Sequence, residues 1–325
     1  MRAWRVRELG EPADVMVLED VEQPVPSRGQ VLVRVAAAAL NFTDVLYCRG
    51  EYQIRAEPPF TPGSEVSGTV EAVGEGVDDV APGDRVIGVT GVGGLAEAAA
   101  VLHAYPIPDT LDWTSAAALH VTYQTAHCGL HQRGRLQSGE TLLVHAGAGG
   151  VGSAAIQLGR AAGARVIATA GGEHKVRVCE QLGADVAIDY RSDDFVDRVK
   201  EVTDGRGADV IFDPVAGDVF DRSRKCIAFE GRILVVGFTS GRIPEIRVNH
   251  PLIKNYAVVG VNWGLYGMTR PDYVRRTHDE LMRLHAEGAI DPLVSEVLPL
   301  DQAAEGLTRL GSRGTVGKVV CVNAT

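Results

Sequence analysis

The sequence predicts an α/β protein of two domains, one β-rich and one a doubly wound parallel sheet. Three observations carry that expectation. The chain has 325 residues, enough for two separate cores. Roughly the first 120 residues hold short apolar runs punctuated by Pro and Gly, the pattern of a small barrel-like domain. From Thr122 to about Trp263 strand and helix patterns alternate, the rhythm of a parallel sheet covered by helices.

Taken in order, residues 15–21 and 30–36 read as strands separated by Pro24, Pro26 and Gly29. Residues 66–73 form another strand, and 80–89 join a Pro82-Gly83-Asp84 turn to a buried one. Asp112 or Thr114 caps a helix that opens at that point. The second region should place strands at 141–146, 165–169, 186–188, 210–213, 232–236 and 258–261, with amphipathic segments such as 175–182 and 195–203 between them. The strand at 258–261 is expected at the outer edge of the sheet. A charged helix at 272–287, a strand at 294–300, a helix at 302–310 and a strand at 316–322 complete the chain, and this tail is expected to fold back onto the first domain. The expected domains are therefore 1–121 with 264–325, and 122–263.

The stretch 141–170 organises the rest. A short apolar strand leads into Gly147-Ala148-Gly149-Gly150-Val151-Gly152, which fits G-x-G-x-x-G, and a helical pattern and a second strand follow. That is the strand–turn–helix–strand setting a dinucleotide fingerprint requires. Gly147 permits the tight turn, Gly149 lets backbone approach a pyrophosphate, and Gly152 lets the helix sit close to the sheet. The N–H groups and positive dipole end of that helix then face phosphate. NAD-binding units place an acid about 20 residues on, against the ribose 2′-hydroxyl. Here the second strand ends in Thr169-Ala170-Gly171-Gly172, with Lys175 and Arg177 close behind. A missing acid beside cations suits a 2′-phosphate, hence NADPH; Glu173 is the counter-signal.

Composition narrows the function classes. The formal net charge of −10 argues against nucleic acid or an anionic membrane as main partner. No apolar run reaches the roughly 20 residues a spanning helix needs, and the first residues show no apolar core followed by a cleavage site, so no secretory leader is expected. Five scattered cysteines, none in C-x-x-C, suit reduced thiols in a cytoplasmic protein.

Several ordered signals run through the chain: Asn41-Phe42-Thr43-Asp44, Gly50-Glu51-Tyr52, Pro62-Gly63-Ser64-Glu65-Val66-Ser67-Gly68, Pro82-Gly83-Asp84-Arg85-Val86, the glycine turn, Gly237-Phe238 and Val259-Gly260-Val261-Asn262-Trp263-Gly264. On these the sequence resembles the zinc-free quinone oxidoreductase branch of the medium-chain dehydrogenase/reductase superfamily, which includes zeta-crystallin, over essentially its whole length. The resemblance implies a GroES-like β-rich catalytic domain and a Rossmann cofactor domain. Zinc-dependent members carry a catalytic cysteine and a His-Glu pair where this chain has Asn41 and Ser64, and the cysteine-rich structural lobe is missing, so no metal is expected. His103, His120, His127 and His131 read as packing or surface residues.

The resemblance places Asn41, Asp44 and Tyr52 beside the nicotinamide: Asn41 as donor to a substrate oxygen, Asp44 as its orienter or simply a turn residue, Tyr52 as proton donor or as cleft lining. Thr125 is expected at the nicotinamide end or else bonded to its own helix. Gly171, Lys175 and Tyr190 make the 2′-phosphate pocket, which Arg313 or Lys318 would close. Gly237, Phe238 and Asn262 should border the nicotinamide. The implied activity is hydride transfer from NADPH to an electrophilic small molecule, a quinone first, with an enone, enal or enoyl thioester as the alternative. NADPH binding without turnover, as a crystallin-like or RNA-binding protein, is a third reading. The exposed apolar edge strand implies a homodimer.

Overall fold

The computed structural model describes residues 1–323. They group into two units, Met1–Val121 together with the segment from Pro292, and Thr122–Asp291.

The first unit begins with β1 (Arg2–Val6), α1 (Pro12–Val15), β2 (Met16–Asp20), β3 (Val31–Ala39), α2 (Phe42–Arg49), β4 (Glu65–Val73), β5 (Arg85–Val89), β6 (Ala98–Val101) and β7 (His103–Pro106). β1 and β2 pair with each other, while β3 pairs with β4 and β6, β4 with β5 and β5 with β7, all antiparallel. Val33, Val35, Val66, Val70, Val86 and Val101 supply the inward faces of these strands. Within 80–89 the turn and the strand fall as expected: the Asp84 carboxylate accepts the Ala81 N–H at 2.8 Å and locks the turn, and the strand follows from Arg85. α3 (Trp113–His127) is capped by Asp112, whose carboxylate accepts the N–H groups of Thr114 and Ser115 at 2.9 and 3.0 Å. Cys128–Arg133 continue it as a π-helical turn.

The second unit alternates strand and helix: β8 (Thr141–Val144), α4 (Gly150–Ala161), β9 (Arg165–Ala170), α5 (Glu173–Gln181), β10 (Val186–Asp189), α6 (Phe195–Val202), β11 (Ala208–Asp213), α7 (Gly217–Ser223), β12 (Ile227–Val235), α8 (Asn249–Lys254), β13 (Ala257–Gly260), α9 (Trp263–Thr269) and α10 (Pro271–Ala286). The six strands are parallel in the order β10-β9-β8-β11-β12-β13. All six were expected from their apolar runs, because strands covered on both faces read as continuous hydrophobic segments. β13 is the edge strand, as anticipated. Asp194 caps α6, accepting the Val196 N–H at 2.8 Å, and Phe195 and Val199 turn inward onto Ile167, Ile188 and Ile211.

One boundary differs from the expectation. Residues 264–291 belong to the second unit, not the first. The reason lies in the helix that reads as charged: Tyr273, Val274, Thr277, His278 and Leu281 are buried on one face of α10. Gln124 donates to the Val274 carbonyl at 3.0 Å, and the Gln157 amide bonds both the carbonyl and the N–H of Asp291, at 2.8 and 2.6 Å.

The chain then returns with β14 (Val294–Pro299), α11 (Ala303–Gly311) and β15 (Lys318–Val322). β15 pairs with β14 in parallel and with β3 antiparallel, so the tail enters the first unit's sheet as the sequence predicts. Val319 and Cys321 on β15 join that unit's core.

Candidate active site

The second unit carries the glycine turn at the carboxyl end of β8. Ala146 adopts a left-handed φ of 51°, and the turn is closed by Gly149 N–H donating to the Ala146 carbonyl at 2.9 Å. Gly147 N–H donates to the Thr169 carbonyl at 2.9 Å, tying the turn to β9. A Cβ on Gly152 would lie 2.1 Å from the Ala146 oxygen, and one on Gly147 would meet the Cys179 sulfur at 2.9 Å. Both glycines are therefore sterically required. Gly149 stands at the N-cap of α4, and Gly149, Gly150 and Val151 are half-exposed while the flanking residues are buried. The amides of a first helical turn have no partner within the helix, so this cradle suits a pyrophosphate.

The expected 2′-phosphate residues also converge. A Cβ on Gly171 would fall 2.5 Å from the Tyr190 hydroxyl and 3.2 Å from the Arg191 Nε, which places both side chains over the Gly171-Gly172 turn. Asp189, the nearest acid on β10, does not reach into this space: its Oδ1 accepts the N–H groups of Gly172 and Arg191, each at 2.9 Å. Lys175, on the first turn of α5, has its ammonium pKa lowered by partial burial and by Arg191. Glu173, the counter-signal, pairs with Arg177 along the same helix. Arg191 is the cation the sequence reading missed. Its signal was its place immediately after Tyr190 at the end of the third strand.

The remaining cofactor candidates stand at strand ends or on α3. Gly237 and Phe238 follow β12 in a half-buried segment held by Val236 N–H to the Asp213 carbonyl at 3.0 Å and Thr239 N–H to the Pro214 carbonyl at 3.2 Å. Asn262 follows β13, and its side-chain oxygen accepts the Leu265 N–H at 3.2 Å, capping α9. Thr125 is half-buried on the last turn of α3. The carboxyl ends of parallel strands are where an open α/β sheet takes its ligands.

The first unit holds the catalytic candidates, and their arrangement corrects two expectations. Asn41 is buried and its amide is fully engaged: Nδ2 donates to the Ala39 carbonyl at 3.1 Å and to Glu65 Oε1 at 3.0 Å, and Oδ1 accepts from Lys318 Nζ at 2.6 Å. It has no donor left for a substrate oxygen. Lys318, expected at a 2′-phosphate, is only 4% exposed. Its ammonium uses all three donors, on Asn41, on the Leu40 carbonyl at 2.9 Å and on Glu65 Oε1 at 3.0 Å. Burial is the reason in both cases: a charge or amide removed from water must be satisfied locally. Glu65 completes the cluster by accepting the Val121 N–H at 2.7 Å. The sequence motif that contains Glu65 gives no sign of this role, because its partners lie far away in the chain.

Asp44 takes the turn-residue alternative, closing a capping box at the start of α2. One oxygen accepts the Asn41 N–H at 2.8 Å, the other the Ser64 hydroxyl at 2.6 Å. Burial pushes its pKa up to about 6, against the pull of those hydrogen bonds and of Lys318. Asn41 and Ser64, at the positions of metal ligands in zinc-dependent members, are thus joined through Asp44. Among the described residues no three His, Cys, Asp or Glu side chains are grouped to hold a metal ion. His127 and His131, four apart on a continuous helix, bring their rings to 4.6 Å, and burial followed by the His131 charge pushes the His127 pKa down to about 4.

Tyr52 lies beyond the left-handed Gly50 that ends α2, half-buried, with its ring 4.7 Å from that of Tyr47. Burial and then the Asp44 charge raise its phenol pKa, so the group holds its proton at neutral pH.

Comparison with known proteins fits this geometry. Residues 27–109 match the model of an alcohol dehydrogenase GroES-like domain, and residues 150–280 that of a zinc-binding dehydrogenase. Quinone oxidoreductase-like protein 2 homolog of Nematostella vectensis is 41% identical, covering 98% of this chain and 88% of its own. The quinone oxidoreductase of Rattus norvegicus is 35% identical over 98% and 97%. The Escherichia coli quinone oxidoreductase, solved in complex with NADPH, superposes with a TM-score of 0.93 at 28% identity, covering 99% of this chain and 100% of that one. With its GroES-like unit, its six-stranded parallel sheet and its metal-ligand positions replaced by Asn41 and Ser64, the chain belongs to the zinc-free quinone oxidoreductase family of medium-chain dehydrogenase/reductases, a family of oxidoreductases.

Proposed function

We propose that the protein is an NADPH-dependent reductase of electron-poor acceptors, with a quinone as the favoured one. The observation that carries this reading is the carboxyl end of β9. There the Tyr190 and Arg191 side chains lie over Gly171 and Gly172, Lys175 adds a second cation, and of the nearby acids Asp189 is turned into the backbone while Glu173 is paired with Arg177. A 2′-phosphate matches two cations and a phenol better than a neutral 2′-hydroxyl does. The NADPH-bound Escherichia coli relative and the rat quinone oxidoreductase support the donor and the acceptor class respectively.

NADPH, when bound, supplies the hydride. The chain's own residues do the rest. The half-exposed first turn of α4, at Gly150 and Val151, holds phosphate through its amides. The rim of Lys175, Tyr190 and Arg191 selects the phosphorylated ribose. The network of Asp44, Asn41, Glu65 and Lys318 sets the start of α2, and Tyr52 follows that helix.

A second acceptor class, the activated C=C bond of an enone, enal or enoyl thioester, is favoured by Tyr52. Its raised pKa keeps a proton on the phenol for a developing enolate. Thr125, Gly237, Phe238 and Asn262 are proposed to border the nicotinamide. We also propose a homodimer formed through the edge strand β13, whose Val258 is exposed. All five cysteines are buried and free, which suits a reducing compartment such as the cytoplasm. No helix among the described residues is long and apolar enough to cross a membrane. The deciding experiment follows consumption of NADPH and of NADH against quinones, enones and enoyl thioesters. A preference for NADPH with a quinol product supports the first reading, a saturated carbonyl product the second. Oxidation of neither nucleotide would overturn both.

A further inference from the structure

The amino ends of β11 and β12, opposite the glycine turn on the same sheet, border an open surface pocket of about 340 Å³. Lys200 from α6, Lys225 from the loop before β12 and Lys254 from α8 line it, and no carboxylate does. Arg206 also lines it, but its charge is met by Asp209 at 2.7 and 3.0 Å. All three lysines are exposed, so the pocket presents ammonium-bearing side chains to solvent with no acid among its lining residues. Their concentration stands out in a chain whose net charge is −10.

Two details indicate a formed site. Lys254 is seated rather than waving in solvent, because its Nζ donates to the carbonyls of Arg224 at 3.1 Å and Lys225 at 3.4 Å. An ammonium has three donors, so one remains for a ligand. Lys254 and Lys200 also act on the same point: both oppose the effect of burial on the Cys226 thiol, whose pKa burial pushes up to about 12. At the edge of the pocket Phe229 is 69% exposed, an aromatic face with nothing stacked on it among the described residues.

We propose that this pocket is a second ligand site, which takes a phosphorylated small molecule bearing a flat ring, of the nucleoside diphosphate type. Lys200, Lys225 and Lys254 hold the phosphates, and Phe229 supports the ring. The site is separate from the glycine turn and does not rest on the proposed reductase activity.

Its test is calorimetric titration of the full-length protein with ADP, with inorganic pyrophosphate and with adenosine, in the presence of saturating NADPH. One equivalent of ADP should bind to the NADPH-loaded protein. The K200A/K225A/K254A variant should bind ADP at least about tenfold more weakly, since it loses three charge-assisted contacts, while its NADPH affinity stays unchanged. F229A should weaken ADP and leave pyrophosphate untouched. Absence of ADP binding to the NADPH-loaded protein, or equal binding by the triple variant, would overturn the proposal. If NADPH itself does not bind, the same wild-type and triple-variant comparison on the free protein still decides it, and the failure then counts against the reductase reading alone.

Discussion

Two polar clusters in this molecule use similar residues to opposite ends. Around Asn41, in the first unit, Asp44, Glu65 and Lys318 are buried and every donor of the Asn41 amide and the Lys318 ammonium is spoken for. Around Gly171, in the second unit, Tyr190 is 51% exposed, and partial burial followed by the Arg191 charge lowers the Lys175 ammonium pKa. The first cluster is closed and holds parts of the fold in place. The second is open and cationic, and it is the proposed binding rim. A lysine's sequence context does not distinguish the two uses; its burial does.

The largest effect should come from opening the closed cluster. Lys318→Met leaves Glu65 buried and unpaired and should cost about 3–5 kcal/mol of stability in the first unit, read by denaturant unfolding. Adding Glu65→Gln should recover part of it. A loss below about 1 kcal/mol would mean that the pair is worth no more than a surface one.

Tyr52→Phe separates the two acceptor classes. It should slow enone reduction about a hundredfold, a typical loss for one positioned proton donor, and spare quinone reduction. Unchanged rates on both substrates would leave Tyr52 as lining only. At the open rim, Lys175→Ala and Arg191→Ala should each weaken NADPH about tenfold and NADH by less than about twofold, measured by fluorescence titration. Equal losses for the two nucleotides would remove the case for a 2′-phosphate there.

The smallest expected effect is a pH dependence within the second unit. His145 is buried, its ring nitrogens 2.9 Å from the Thr169 hydroxyl and 2.8 Å from that of Ser223, and burial pushes its pKa down to about 3. His127 is lowered to about 4. Both take up protons on unfolding before they do in the native state, so stability should fall as pH drops below the unfolded value near 6.5. The loss is about 1 kcal/mol per histidine between pH 6.5 and 5.5, and it continues toward the folded values. A melting temperature that does not fall over that interval would contradict the burial of both rings.

Much of this was legible in the residues alone. The six parallel strands follow from apolar runs that only a sheet covered on both faces produces, and the glycine turn follows from a spacing with a steric cause, seen in the 2.1 Å approach that a Cβ at Gly152 would make to Ala146. The return of the tail to the first unit was equally readable, since an apolar strand that late in the chain needs a sheet to join; that β3 is its partner was not. Other features were not. The buried face of α10 is hidden behind a charged sequence, so residues 264–291 were assigned to the wrong unit. Asn41 and Lys318 are 277 positions apart, and no local pattern states that they share a hydrogen bond. Arg191 lies over Gly171 on the neighbouring strand's end, and no local pattern brings the two together. Local propensity and period are properties of a short window, and they determined the elements. Which charges are buried against each other and which face water depends on long-range packing, and that was decided only in the tertiary structure.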